Sequence, residues 1–238
     1  MKQMKGLHKA MSLLTCAALV GGAAYSRADD TLEQNFGGTD NQNELPGPTR
    51  HTTVEMHEGT NMAAVPSPDA RQMVLSLQGG LWIIPASGGT ATKITPWDVE
   101  STQPVWSPDG EWIAFQNYST AANFAIWVVK PDGSQLHALT SGPFDDREPS
   151  WYPDSSKLIF SSDRSNDKQY KIWSVTLDGA LQQLTTGTGA ESNPVVSPDG
   201  TKIAFVNTGN TIYTMPANLS AAPTQFGSGS YPQWTPNS

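Results

Sequence analysis

The chain has 238 residues, 37% of them apolar and 15% charged, a balance that excludes a disordered polypeptide and leaves room for one large domain or two small ones. Twenty-one glycines and eighteen prolines beside eight tryptophans point to many short strands joined by tight turns, so an all-β fold is expected. The formal charge of −8 and the single cysteine, Cys16, exclude a basic nucleic-acid binder and a disulfide scaffold.

The first predicted element is a secretory signal over residues 1–28. Lys2, Lys5 and Lys9 form a basic start, Met11 to Ala24 is an apolar run too short to span a bilayer comfortably, and Ser26-Arg27-Ala28 has the small-x-small form of a cleavage site. Cleavage is expected between Ala28 and Asp29. A membrane anchor and a lipid anchor at Leu13-Leu14-Thr15-Cys16 are the alternatives. The acidic flank after the run disfavours the first, and threonine just before the cysteine the second. The signal holds four of the fourteen basic residues and no acidic one, so its removal leaves ten against twenty-two, a formal −12. That balance argues against nucleic acid and against anionic lipid surfaces as partners. Cys16 leaves with the signal, and the remaining chain suits an oxidising compartment without disulfides.

Residues 29–50 are polar, rich in Gly, Asn and Pro and without periodicity, which predicts a flexible leader. His51 to Thr60 reads as a single strand. A repeat follows, marked by Ser67-Pro68-Asp69, Ser107-Pro108-Asp109, Tyr152-Pro153-Asp154, Ser197-Pro198-Asp199 and Thr235-Pro236-Asn237 at intervals of 40, 45, 45 and 38 residues. That period, with four strand-like segments inside it, fits the blade of a β-propeller. The fold expected is therefore all-β: a propeller of four-stranded antiparallel blades, four complete and a fifth begun. Their approximate bounds are 62–96, 102–140, 147–185, 192–227 and 231–238. A closed four-bladed ring and an incomplete ring, an open arc, both satisfy that count, and the incomplete ring is favoured.

Each segment has its own logic. Pro-x-Trp (Pro104-Val105-Trp106, Pro149-Ser150-Trp151, Pro232-Gln233-Trp234, with Val196 in place of Trp) predicts a short first strand opened by a proline, which can spare its missing N–H there. In the turn, proline pre-sets φ, Asp bonds its own backbone, and Gly110 or Gly200 takes positive φ. The apolar runs at Met73, Trp112, Lys157 and Lys202 suit a second strand covered on both faces. Trp82, Trp127, Trp173 and Tyr213 stand at one place in the third strand, where a ring fills the wedge between sheets. The fourth is brief, closing on Ile94-Thr95, Leu139-Thr140 and Leu184-Thr185.

On these motifs the chain resembles the TolB-type propeller repeats, whose pattern also contains Ser-Asp-Arg, present once as Ser162-Asp163-Arg164. The resemblance covers residues 62–238 and implies a propeller of six or more blades, more than this repeat count supplies. TolB carries an α/β domain before its propeller, for which residues 29–61 leave no room. Glu58-Gly59-Thr60, Gly80-Leu81-Trp82 and Pro85 to Thr95 are similar to the N-terminal propeller of exported amidohydrolase-type proteins. That second resemblance implies a metal-dependent hydrolase domain following the propeller.

Chemistry-bearing motifs are sparse: no Gly-x-Ser-x-Gly elbow, no His-Glu-x-x-His and no phosphate loop stands in the chain. Glu55 and His57 share one face of a strand and Glu58 the other, a solvated strand in preference to metal ligands. Asp163 to Asp167 offers alternating oxygens but not a complete calcium loop. No catalytic residue, cofactor or metal is expected. The inter-strand connections divide into short uniform turns on one face and variable loops on the other, and binding tends to reside in variable loops. The variable set carries Trp97, Asp98, Glu100, Phe144, Asp145, Asp146 and Arg147, an acidic rim with two aromatics suited to a protein or peptide of the cell envelope; loops that merely differ are the other reading. The expected function is an exported, non-catalytic binding module, periplasmic or secreted, with no transmembrane segment after the signal. The alternative is the N-terminal propeller portion of a larger hydrolase, of the amidohydrolase or prolyl-oligopeptidase kind, whose catalytic C-terminal domain is missing from these residues.

Overall fold

A computed structural model describes residues 63–96, 99–118 and 122–235. The cleavage site at Ala28 and Asp29, the leader, Glu55, His57 and Glu58 lie outside the described residues, as do Trp97 and Asp98. The described residues hold sixteen strands and no helix.

They form four antiparallel sheets of four strands each, every sheet built from consecutive strands. The first contains β1 (Ala63–Pro66), β2 (Gln72–Leu77), β3 (Gly80–Pro85) and β4 (Thr92–Lys93). The second contains β5 (Glu100–Trp106), β6 (Ile113–Tyr118), β7 (Phe124–Val129) and β8 (His137–Ala138). The third contains β9 (Asp146–Trp151), β10 (Lys157–Ser162), β11 (Lys171–Thr176) and β12 (Leu181–Gln183). The fourth contains β13 (Glu191–Val196), β14 (Lys202–Asn207), β15 (Thr211–Pro216) and β16 (Thr224–Ser228). This is the blade architecture of a propeller. Among the described residues each sheet packs only on its sequence neighbours, and the first and fourth sheets do not touch.

Burial between neighbouring sheets is what holds the arc together. Leu81, Ile83, Trp106, Ile113 and Phe115 fill the space between the first and second sheets; Ile126, Leu139, Trp151, Leu158 and Phe160 fill the next; Ile159, Ile172, Ile203, Phe205 and Met215 the third. The second strands β6 and β10 supply residues to clusters on both of their faces, which is why they read as continuous apolar runs, whereas β14 supplies Ile203 and Phe205 to one. Trp127, Trp173 and Tyr213 pack back toward the preceding sheet, as their place in the wedge requires.

The Ser-Pro-Asp turn closes on its own side chains. Ser67, Ser107 and Ser197 donate through Oγ to Oδ1 of Asp69, Asp109 and Asp199 at 2.7, 2.5 and 2.6 Å, and the same hydroxyls accept the amides of Gln72, Trp112 and Lys202. The fourth turn position has positive φ in all four described copies, with Gly110 and Gly200 in two of them and Ala70 and Ser155 in the other two. The closing threonines are equally structural. Thr95, Thr140 and Thr185, all buried, each accept through Oγ1 the amide of Leu81, Ile126 or Ile172 at 2.9 Å, pairing a third-strand donor that the short fourth strand does not reach.

The first strand differs from the expectation. Proline does not open it: Pro104, Pro149 and Pro194 stand inside β5, β9 and β13, beside a shift in pairing with the second strand. Gln103, Glu148 and Asn193, immediately before the prolines, have φ of 49°, 59° and 51°. A bulge removes the need for the proline's missing N–H, and it leaves the preceding amide outside the ladder. The adjacent sheet supplies acceptors: Gln116 Oε1 takes the Glu148 amide at 2.5 Å, and Glu148 Oε2 takes the Asn193 amide at 2.6 Å.

Candidate functional site

The two faces of the arc separate as the connections do. On one, the short turns touch across sheets: the Asp109 amide donates to Ser155 Oγ at 3.1 Å, and a Cβ on Gly200 would lie 3.4 Å from Pro153. On the other, the loops before β7, β9 and β11 meet around the third sheet. Asn123 Nδ2 donates to the Gly142 carbonyl at 3.1 Å and also to that of Phe144.

Asp145 is the hub of this loop face. Its Oδ1 accepts the Phe124 amide at 2.9 Å, its Oδ2 accepts Tyr170 Oη at 2.6 Å and Arg147 Nε at 2.8 Å, and its own amide donates to Asp163 Oδ1 at 2.9 Å. Partial burial works to raise its pKa, but the hydrogen bonds from Arg147, Tyr170 and the Phe124 amide together hold the carboxyl below the usual range. Burial and the bond to Asp145 push the Tyr170 phenol up, so it remains a donor at any physiological pH. Asp163 to Asp167, the candidate calcium segment, is spent on internal bonds: Asp167 Oδ1 accepts Ser165 Oγ at 2.7 Å and the Gln169 amide at 3.1 Å. Among the described residues no group of three or more His, Cys, Asp or Glu side chains could hold a metal ion.

Asp146 faces the other way. Only 1% exposed, it accepts Arg164 Nη2 at 2.5 Å, and the guanidinium lies 5.0 Å from the Phe144 ring, 5.7 Å from Phe160 and 5.5 Å from Trp173. A desolvated Arg–carboxylate pair with aromatic walls stiffens a loop base; it does not present charge to a partner. Phe144, half-buried, roofs this pair and is itself approached by Lys168 Nζ at 5.3 Å. The expected acidic rim is thus tied up locally: Asp145 is bonded to Arg147 and Asp146 to Arg164.

What stands outward is an aromatic and arginine surface. Tyr118 is 40% exposed and meets Phe124 edge-on at 5.0 Å; the Arg147 guanidinium, its side chain 44% exposed, lies 5.0 Å from Phe124 and 5.9 Å from Tyr170. Exposed Glu100 pairs with Tyr118 across β5 and β6, which brings it to the same row. The structure therefore gathers Glu100, Phe144, Asp145, Asp146 and Arg147 around one set of loops, and adds three residues that motif reading passed over: Tyr118, Phe124 and Tyr170. Their only signal in the sequence is an aromatic at the mouth of each variable loop. Strand register alone shows that they converge.

A second buried polar group lies between the third and fourth sheets. Lys171, 2% exposed, donates to the Gly189 carbonyl at 2.6 Å and lies 3.4 Å from Asp167, while Thr185 Oγ1 donates to buried Glu191. Burial raises the Glu191 carboxyl despite the threonine and the lysine. Glu191, Asp146 and Ser101 occupy one position in their sheets, three residues before the bulge proline, and all are buried.

Comparisons with known proteins agree with this geometry. Residues 116–238 match the family described as the TolB beta propeller domain. No curated protein matches the chain. Solved structures that resemble it include a putative TolB from Agrobacterium tumefaciens at 24% identity and a TM-score of 0.63, covering 74% of this chain and 66% of that one. TolB from Acinetobacter baumannii is similar at 21% identity and a TM-score of 0.58, over 74% of this chain and 45% of that one. Oligogalacturonate lyase from Vibrio parahaemolyticus follows at 14% identity and a TM-score of 0.59, over 74% and 56%. The chain thus spans about half to two thirds of these proteins, and at such identities the likeness is one of fold. The repeats, the four blade-like sheets and a family match over more than half the sequence agree, and the chain belongs to the TolB β-propeller domain family.

Proposed function

We propose that this chain is an exported, non-catalytic module of the cell envelope that binds a protein or peptide through the loop face around its third sheet. The observation that carries the reading is the outward row of Tyr118, Phe124, Arg147 and Tyr170, braced from below by Asp145. Tyrosine and arginine held rigid at a surface supply contact area with little ordering entropy left to lose, and such residues dominate interface energetics. The basic start, apolar run and Ser26-Arg27-Ala28 support export. No helix among the described residues is long and apolar enough to cross a membrane.

Quantitative capture from envelope extract tests the binding role, with wild type compared with a Tyr118→Ala, Arg147→Ala double variant and with Glu111→Ala on the opposite face. Loss of captured protein with the double variant alone supports the reading, and equal capture by all three removes it. N-terminal sequencing of the exported protein tests the other half. Asp29 is the expected first residue, and an intact Met1 start in the envelope fraction would contradict it.

A further inference from the structure

The charges at the loop end of the third sheet are unequally spent. Its carboxylates each accept hydrogen bonds from the protein's own donors. Asp145 takes the Phe124 amide, Tyr170 and Arg147, and Asp163 takes the Asp145 amide. Asp167 takes Ser165 Oγ and the Gln169 amide, and Asp146 is buried against Arg164. Glu148 Oε2 accepts the Asn193 amide at 2.6 Å and Ser161 Oγ at 2.9 Å. Two of the cations are consumed in the same way, Arg164 by Asp146 and Lys171 by the Gly189 carbonyl.

Arg147 and Lys168 are not. The Arg147 guanidinium uses one edge on Asp145 Oδ2, through Nε at 2.8 Å and Nη2 at 2.6 Å. Among the described residues its Nη1 donates to nothing, and the side chain is 44% exposed. Lys168 is exposed and makes no ion pair with a described residue; its amide donates to the Ser165 carbonyl at 3.0 Å, which fixes its backbone. Both cations stand beside aromatic rings, Arg147 at 5.0 Å from Phe124 and 5.9 Å from Tyr170, and Lys168 at 5.3 Å from Phe144. A ring displaces water from one side of a cation, so a carboxylate arriving at the other side meets it in a lower effective dielectric. A guanidinium already held by one carboxylate also has little freedom left to lose when its second edge is engaged.

Elsewhere the balance is reversed. The chain carries a formal −8, and Glu100, the exposed acid of the aromatic row, pairs with Tyr118, which in turn pairs with Phe124. Two strand spacings put Glu100 roughly 10 Å from Phe124. An acidic segment is therefore repelled by most of this protein and accepted at one end of one surface, an arrangement that fixes both the place and the direction of docking. We infer that the loop face selects an acidic peptide, with one carboxylate on the free edge of Arg147, another on Lys168, and its acidic residues directed away from Glu100. This inference rests on the binding role proposed above and names the chemistry of the partner.

Selection of displayed dodecapeptides on the wild-type protein tests it, read as the Asp and Glu content of the clones retained. Enrichment of about twofold over the unselected library is expected, and Lys168→Glu, which removes an amino group that bonds nothing internal, should return the content to the library level. A selected acidic peptide should bind about tenfold more weakly to Arg147→Gln, and more weakly to wild type as salt is raised. Clones that are lost on the Tyr118→Ala, Arg147→Ala double variant but show no excess of acidic residues would overturn this inference and leave the binding role standing. If no clone depends on those two residues, the binding role fails and the acidic partner fails with it.

Discussion

The third and fourth sheets are built on one strand plan and reach opposite chemical compositions. The third gathers Arg147, Arg164, Lys168 and Lys171 with Asp145, Asp146, Asp163 and Asp167 at its loop end; the fourth has no charged residue after Lys202. The third sheet is covered on both sides, and its ions are placed where loops need bracing. The fourth is covered by the third on its inner side, and on the other side residues 231–235 reach it through the bond from Trp234 to the Val195 carbonyl. The repeat motif therefore encodes the sheet, and residues outside the motif encode what each sheet meets.

The sharpest way to break this contrast is to remove charge where the third sheet depends on it. Arg164→Met leaves Asp146 buried without its cation and is expected to destabilise by about 3–5 kcal/mol in denaturant unfolding. Arg164→Met combined with Asp146→Leu should lose much less than the two single losses added, because the penalty lies in the orphaned ion. Additive losses would show that the pair is not coupled.

Equivalent apolar positions give the next contrast. Leu139→Ala, in the interface between the second and third sheets, should cost about 2–5 kcal/mol. Phe226→Ala at the matching place should stay within about 0.5 kcal/mol, since its ring is already in water. Similar losses at both positions would mean that the fourth sheet's outer face is covered.

Acid should act more weakly, through the turns. Hydrogen bonds from Ser67, Ser156 and Ser197 lead in holding Asp69, Asp154 and Asp199 below 3.8, Asp199 down to about 2. A depressed carboxyl contributes stability that is complete above its unfolded value and lost as pH falls through its folded one. The melting temperature should therefore decline mainly between pH 4 and pH 2, with a shallower decline in Asp199→Asn. Buried Glu191 runs oppositely, its carboxyl raised by desolvation, so whatever it contributes is lost as pH rises through its folded value.

These contrasts also mark how far the residues alone could be read. The period, the Ser-Pro-Asp turn, the apolar second strand and the Leu-Thr closure are legible because each is satisfied locally, by a side chain bonding its own turn or its own sheet. The bulge was not. Its positive φ falls on Gln103, Glu148 and Asn193, none of them glycine, and its stray amides at Glu148 and Asn193 are paired by a neighbouring sheet some thirty or more residues away in sequence. The site shows the same limit. Asp145 and Asp146 are adjacent acids in the sequence, but strand geometry turns one toward Arg147 at the surface and the other toward Arg164 beneath Phe144. Tyr118, Phe124 and Tyr170 become a surface only through register.

The smallest expected effect compares the turns with one another. Gly110 and Gly200 take φ of 74° and 73° without a side chain, whereas Ala70 holds 56° and Ser155 holds 59° in the same turn position. A Cβ in the left-handed region is strained, so Ala70→Gly should stabilise by about 0.5–1 kcal/mol despite the added freedom of the unfolded chain. Ser155→Gly relieves the same strain but deletes the hydroxyl that accepts the Asp109 amide from the second sheet, a bond of about 1 kcal/mol. The two substitutions should therefore differ in sign or nearly so, Ala70→Gly raising the unfolding midpoint and Ser155→Gly leaving it level or lower. A matching gain from both would show that the bond between turns contributes nothing, and that the sheets are held by their apolar faces alone.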